Sequence, residues 1–208
     1  MSQFLLQCIT LDGIELSHAE QVQQLCEAGA KWIQLRMKSA SESEVETVAA
    51  ECLPLCKDHG ALLVINDHLN VALKLGAGGV HLGKTDMNWK AARNLAGPEL
   101  VIGGTVNSLS DAREALACRS LDYVGVGPFR HTTTKKNLAP VMEKKEFSEL
   151  LQFLGELPKV VIGGVLPEDL PAIASMDAEG VAISSGLFVD GSISENLNAY
   201  LERWPDAG

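Results

Sequence analysis

Along the chain, short runs rich in β-branched and other apolar residues alternate with stretches whose apolar positions recur every three or four residues. The runs are FLLQCIT, KWIQLR, ALLVIN, GGVHLG, LVIGGT, LDYVGVG, KVVIGGV and EGVAISS, eight in all. Between them, spacings such as Val45, Val48, Ala49, Cys52, Leu53 and Cys56, or Leu109, Ala112, Ala115 and Leu116, predict helices with one apolar stripe. Ser108 with Asp111 three residues on reads as a helix cap, and Pro167 followed by Glu168 and Asp169 suits a first helical turn. Pro54 has no N–H to donate, which predicts that the second helix bends or ends there. AGAKWIQL, LGAGGVHL and MDAEGVAI read as helix exits into a strand, where glycine supplies a left-handed backbone.

Eight strand-and-helix units in 208 residues, with no linker and no low-complexity tract, predict a single (β/α)8 TIM barrel over residues 1–208. A doubly wound open sheet is the alternative that alternation alone leaves open. At 46% hydrophobic, the chain has material for one sizeable core. Its 17 Lys plus Arg against 27 Asp plus Glu give a net charge of -10, which disfavours nucleic acid and acidic membranes as partners. An anionic ligand must therefore meet a local basic cluster. The five cysteines form no CxxC pair and are odd in number, so reduced thiols are expected rather than a zinc ribbon or a disulfide framework. The opening MSQFLLQCITLDG lacks a basic region before its short apolar run, and no stretch approaches the roughly 18 apolar residues of a membrane span. A soluble, cytoplasmic protein is expected, with a homo-oligomer left open.

In such a barrel the chemistry gathers at the C-terminal ends of the strands. After the second run, strand alternation through QLRMK puts Gln34, Arg36 and Lys38 on one face, so two cations and an amide point over the barrel mouth. Their partner is either a bound anion or an Asp on a neighbouring strand. The third and fourth runs end in INDH and HLGKTD, where Asn66, Asp67 and Asp86 offer oxygen. Paired carboxylates suit Mg²⁺, which takes one or two from protein and completes its shell with water and phosphate oxygens. Taken alone, Asp67 would equally cap the next helix. His81 lies in an apolar run and reads as a hydrogen-bonded core residue, and His59, His68 and His131 support no catalytic triad.

The seventh and eighth runs end in IGGV and ISSG. Gly163, Gly164, Ser184 and Ser185 fit the phosphate site that barrels build there from backbone N–H groups, or else two tight turns and a serine cap. GPFRHTTTKKN follows the sixth run, between these two sides. Thr132, Thr133 and Thr134 carry hydroxyls and Lys135 a point charge, so the segment reads as an anion clamp if it is more than a solvated loop. Two anion subsites with a metal between them imply two phosphorylated substrates, or one with a phosphate at each end.

The set QLRMK, IND, GVHLGKTD, DYVGVGPFRHTTTKK, VIGGV and GVAISS, in this order over residues 31–187, resembles the thiamine phosphate synthase family. The resemblance implies a Mg²⁺-dependent transfer that joins a hydroxymethylpyrimidine diphosphate to a thiazole phosphate and releases diphosphate. It places Gln34, Arg36, Lys38 and Asn66 on the pyrimidine diphosphate and Asp67 and Asp86 on the magnesium. Thr105, where the family usually has serine, would face the pyrimidine. Thr132 and Thr134 would contact the thiazole, Lys135 the diphosphate, and Gly164 with Ser185 and Ser184 the thiazole phosphate. No protein nucleophile is needed, because the aminopyrimidine stabilises the carbon cation while Arg36, Lys135 and the metal stabilise the leaving charge. Lys84, Asn107 and the FRH of the sixth loop depart from the family's usual glutamine, histidine and Phe/Tyr-Pro. The rivals are the family's thiazole tautomerase paralogue, which needs a histidine at Asn107, a metal-histidine epimerase, and a silent phosphate-binding barrel.

Overall fold

The computed structural model describes residues 5–130 and 142–205. Each of the eight apolar runs is a strand: β1 Leu6–Ile9, β2 Trp32–Leu35, β3 Leu62–Asn66, β4 Gly79–Leu82, β5 Val101–Val106, β6 Tyr123–Val126, β7 Lys159–Ile162 and β8 Gly180–Ile183. All pair in parallel in chain order, and β8 returns to β1 with Leu6 opposite Val181 and Cys8 opposite Ile183. The sheet is therefore a closed barrel, not the open doubly wound alternative.

Strand alternation divides the side chains into two cores. One set points inward, where Ile9, Trp32, Val64, Tyr123, Val160 and Ala182 pack together. Their immediate neighbours Cys8, Ile33, Ile65, Val124, Val161 and Ile183 point outward into the larger core beneath the helices. The interior fill depends on size matching. The Trp32 and Tyr123 rings meet edge to face at 4.8 Å, a contact worth about 0.5–1.5 kcal/mol beyond area burial. A Cβ on Gly103 of the neighbouring strand would lie 2.1 Å from Tyr123 Cζ, so only glycine admits that ring.

The helices are α1 His18–Glu27, α2 Glu42–Asp58, α3 Leu69–Leu75, α4 Trp89–Ala96, α5 Leu109–Cys118, α6 Lys144–Phe153, α7 Leu170–Ala174 and α8 Ile193–Leu201. Three begin with reciprocal caps, Ser17 with Glu20, Ser41 with Glu44 and Ser192 with Glu195. Ser108 caps α5 by accepting from the Asp111 N–H, and the Asp111 carboxylate accepts from the N–H of Asn107, one residue before the cap. Pro167 opens a single 3₁₀ turn, Pro167–Asp169, ahead of α7. α2 does not end at Pro54 but runs through it to Asp58. Pro54 and Ala50, whose carbonyl loses its N–H partner, are both exposed, so water can serve that acceptor. Gly29 and Gly76 have the expected left-handed backbone, while in MDAEG it is Asp177, with φ of 68°, that turns the chain.

Lys159 opens β7 at the end of the barrel opposite the mouth and is 1% exposed. Its Nζ donates to Gly155 O at 2.6 Å and to Asp177 Oδ2 at 3.2 Å, with Glu179 Oε1 at 3.5 Å, which ties the charge into the barrel floor. All five cysteines are free thiols. Among the described residues no helix is long and apolar enough to cross a membrane.

Candidate active site

At the C-terminal mouth the barrel opens into a cavity of about 1120 Å³, part of it open to solvent. Above the apolar fill, its floor is a hydrogen-bonded row of side chains. Gln34 Nε2 donates to Gln7 Oε1, and Gln7 Nε2 donates to the Tyr123 hydroxyl, each at 3.0 Å. The Tyr123 hydroxyl in turn lies 3.0 Å from His81 Nδ1, and His81 Nε2 lies 3.0 Å from Thr105 Oγ1. Burial holds the Tyr123 phenol well above its ordinary range, so it remains a neutral hydroxyl. His81 is the hydrogen-bonded residue expected from its apolar run, but it stands in the cavity wall. Thr105 is beside it in the same wall.

On one side of the mouth stand Arg36 and Asn66, both in the cavity wall. Arg36 is held through its backbone, donating from N to Thr10 Oγ1 at 2.9 Å. Among the described residues neither Arg36 nor Lys38 has an ion-pair partner within 4 Å, so no Asp of a neighbouring strand neutralises either charge. Lys38 does not line the cavity that Arg36 lines. β2 ends at Leu35, so strand alternation stops there, and Lys38 is exposed in the turn that follows, its N donating to Asp12 Oδ2 at 3.1 Å.

Asp67 and Asp86 are brought close enough for their carboxyl groups to interact directly. Asp67 does not cap α3. The cap position is His68, and Asp67 itself has a left-handed backbone with φ of 66° and donates its N–H to His81 O at 2.8 Å. Although Asp67 is exposed as a residue, its carboxyl group is crowded on one side. Desolvation there, then the interaction with the Asp86 carboxyl, push it up to about 7, while Arg36 pulls it back. Asp86 is oriented by Gly83 N, which donates to its Oδ2 at 2.6 Å. Lys84, so close in sequence, turns away and pairs with Asp111 Oδ2 at 2.5 Å. The described residues contain no cluster of three or more His, Cys, Asp or Glu ligands. A pair of carboxylates with room for water and phosphate oxygens is the donor set of Mg²⁺, and Asp67 and Asp86 fit it.

On the opposite side the wall is backbone. Gly163 and Gly164 follow β7 with φ of 98° and 68°, and Ser184 and Ser185 follow β8 at a 3₁₀ turn, Ser185–Leu187. All four line the cavity. The Ser184 hydroxyl is buried with no partner among the described residues, a state that costs on the order of 1–3 kcal/mol when nothing bonds to the group. Between the two sides Asn107 donates from Nδ2 to Gly127 O, where β6 ends. Thr132, Thr133, Thr134 and Lys135 lie outside the described residues.

Gln7, Tyr123, His81 and Asn107 were not among the site residues expected from sequence. A signal for two of them existed. Gln7 and Tyr123 carry polar atoms at inward positions of otherwise apolar strands, where they bond each other and Gln34, but which face of an isolated strand looks inward is fixed only when the sheet closes.

Residues 6–187 match the family model described as thiamine monophosphate synthase. A thiamine-phosphate synthase of Bacteroides fragilis is 45% identical over 186 residues, covering 88% of this chain and 91% of that one. Its counterpart in Flavobacterium johnsoniae is 34% identical over 183 residues, 86% of each chain. Among solved structures, thiamine phosphate pyrophosphorylase from Pyrococcus furiosus superimposes with a TM-score of 0.84 at 26% identity, over 97% of this chain and 95% of that one. Similarity along nearly the whole length, joined to a barrel mouth with a carboxylate pair on one side and a glycine-serine wall on the other, makes this chain a member of the thiamine monophosphate synthase family.

Proposed function

We propose that this protein joins a hydroxymethylpyrimidine diphosphate to a thiazole phosphate, releasing diphosphate and thiamine phosphate. The observation that carries the reading is the division of one cavity into two anion-receptive sides. Arg36 and Asn66 line one side, with Asp67 next to Asn66 in the chain and Asp86 close to Asp67, and the backbone of residues 163–165 with Ser184 and Ser185 lines the other. A diphosphate on the first side and a monophosphate on the second set the two substrates end to end across the polar floor. Gln34 and Thr105, positioned by Gln7 and His81, face the ring of the pyrimidine.

Mg²⁺ held by Asp67 and Asp86 would neutralise charge on the diphosphate oxygens. Arg36 adds a fixed cation at that end, and Lys135 is assigned the same task from the sixth loop. Bond breaking between the exocyclic carbon and the diphosphate leaves a cation that the aminopyrimidine ring stabilises. The thiazole nitrogen then bonds that carbon, and no side chain has to act as a nucleophile. The cavity wall excludes bulk water from the carbon through Ile9, Ile162 and Ala182.

Diphosphate release from the pyrimidine diphosphate, with and without thiazole phosphate and with Mg²⁺ or a chelator, tests the reading. Release should need both substrates and the metal. Asp67→Asn and Asp86→Asn should each raise the Mg²⁺ concentration required while leaving the melting temperature of the metal-free protein close to wild type. Full activity in excess chelator would remove the metal from the reading, and wild-type protein unable to form thiamine phosphate would overturn it.

A further inference from the structure

The glycine wall does not hold its own shape. In extended backbone successive carbonyls point to opposite sides, but the positive φ of Gly163 and Gly164 turns three of them to one side. There they meet the segment that leaves β6. Phe129 N donates to Ile162 O and Arg130 N to Gly163 O, each at 2.9 Å, and Arg130 Nη1 donates to Gly164 O at 3.2 Å. In a trans peptide the next residue's N–H points opposite the carbonyl. The N–H groups of Gly163, Gly164 and Val165 are therefore turned away from Arg130, toward the cavity these residues line, and none of the described residues accepts a hydrogen bond from them. Successive N–H groups aimed into one concavity form an anion site.

Arg130 is itself fixed. Its guanidinium grips Asp169 with both Nη1 and Nη2, and lies 5.4 Å from the centre of the Phe129 ring, which packs edge to face on Phe147 of α6. Asp169 Oδ2 also accepts from Leu166 N at 2.8 Å, so one carboxylate ties the arginine to the turn that follows the glycines. Only glycine fits at 163, since a Cβ there would sit 2.9 Å from Pro128.

We infer that Arg130 is a positioning residue for phosphate: anchored by Asp169, it takes up the carbonyls of residues 162–164 and so presents the N–H groups of residues 163–165 to the monophosphate end of the ligand. This rests on the proposed function for the identity of that ligand, and it adds a device that depends on the Arg130 departing from the family's usual sixth-loop sequence.

Calorimetric titration of thiazole phosphate and of unphosphorylated thiazole alcohol separates this role from general support of the fold. Arg130→Ala should weaken thiazole phosphate on the order of tenfold, in the range seen when groups supporting a ligand-binding shell are removed, and leave the alcohol within twofold. Arg130→Lys keeps the charge but cannot fork between Asp169 and Gly164 O, so it should retain most of the loss. Asp169→Asn, which keeps an acceptor for Leu166 N, should show the same preference with a smaller change and serves if Arg130→Ala folds poorly. Equal losses for phosphate and alcohol, full recovery with lysine, or unchanged phosphate affinity would each overturn the inference. Wild-type protein that binds inorganic phosphate but not thiazole phosphate would sink the substrate assignment alone. The positioning role would then be read from phosphate affinity, again with a loss on the order of tenfold in Arg130→Ala. Wild-type protein that binds neither would overturn both.

Discussion

At the scale of single residues, function rests on backbone conformations that side-chain chemistry does not advertise. Gly163 combines φ of 98° with a neighbour 2.9 Å from where a Cβ would stand. Gly163→Ala should therefore cost about 1–3 kcal/mol, the range for a non-glycine residue held in a strained region. It should also weaken thiazole phosphate more than pyrimidine diphosphate, because the strain falls on the monophosphate side. Urea unfolding and the two substrate KM values check both parts, and equal KM changes would place the glycine outside that subsite. Asp67 shows the same lesson from the other wall. Its residue type was legible as a carboxylate donor, but its left-handed backbone and its interaction with the Asp86 carboxyl were not. Lys38 shows the converse: β2 stops three residues earlier, so its place is set by the following turn and not by strand alternation.

Whole elements are where the sequence reads most directly. Ser17–Glu20, Ser41–Glu44 and Ser192–Glu195 are local patterns and form local caps, since both partners lie within one turn. Their hydrogen bonds lower the pKa of Glu20, Glu44 and Glu195. A carboxylate depressed in the folded state lends stability that is present above its unfolded value, about 4.3, and is lost as pH falls through the folded value. Replacing the three glutamates by glutamine should therefore lower the urea midpoint at pH 7 and bring the two proteins together near the acid end. A gap that stays constant down to acid pH would show that these carboxylates do not titrate with folding. Pro54 marks the limit of element-level reading. The helix-breaking rule assumes that a lost hydrogen bond is costly, and at an exposed position in a helix anchored by Val45, Ala49, Cys52 and Cys56 it is not.

Across the whole molecule, the row Gln34–Gln7–Tyr123–His81–Thr105 crosses five strands and ties cavity-lining side chains together through the buried Tyr123 hydroxyl. Tyr123→Phe removes the acceptor of Gln7 Nε2 and should destabilise by about 1–3 kcal/mol, read as a shift of the urea midpoint at unchanged slope. A neutral substitution would mean that the row is not a structural unit. By itself the sequence determined the eight alternating strand-and-helix units and the residue types of both anion-receptive sides, because periodicity and charge are properties of neighbours along the chain. Closure of the barrel decided which inward residues meet: that Gln7 and Tyr123 join Gln34 and Thr105, that Lys84 serves Asp111 instead of Asp86, and that Arg130 reaches across from β6 to the turn after β7. Those pairings join residues up to 116 positions apart. Their distances are set by strand register and side-chain size around the ring, which no local stretch of sequence contains.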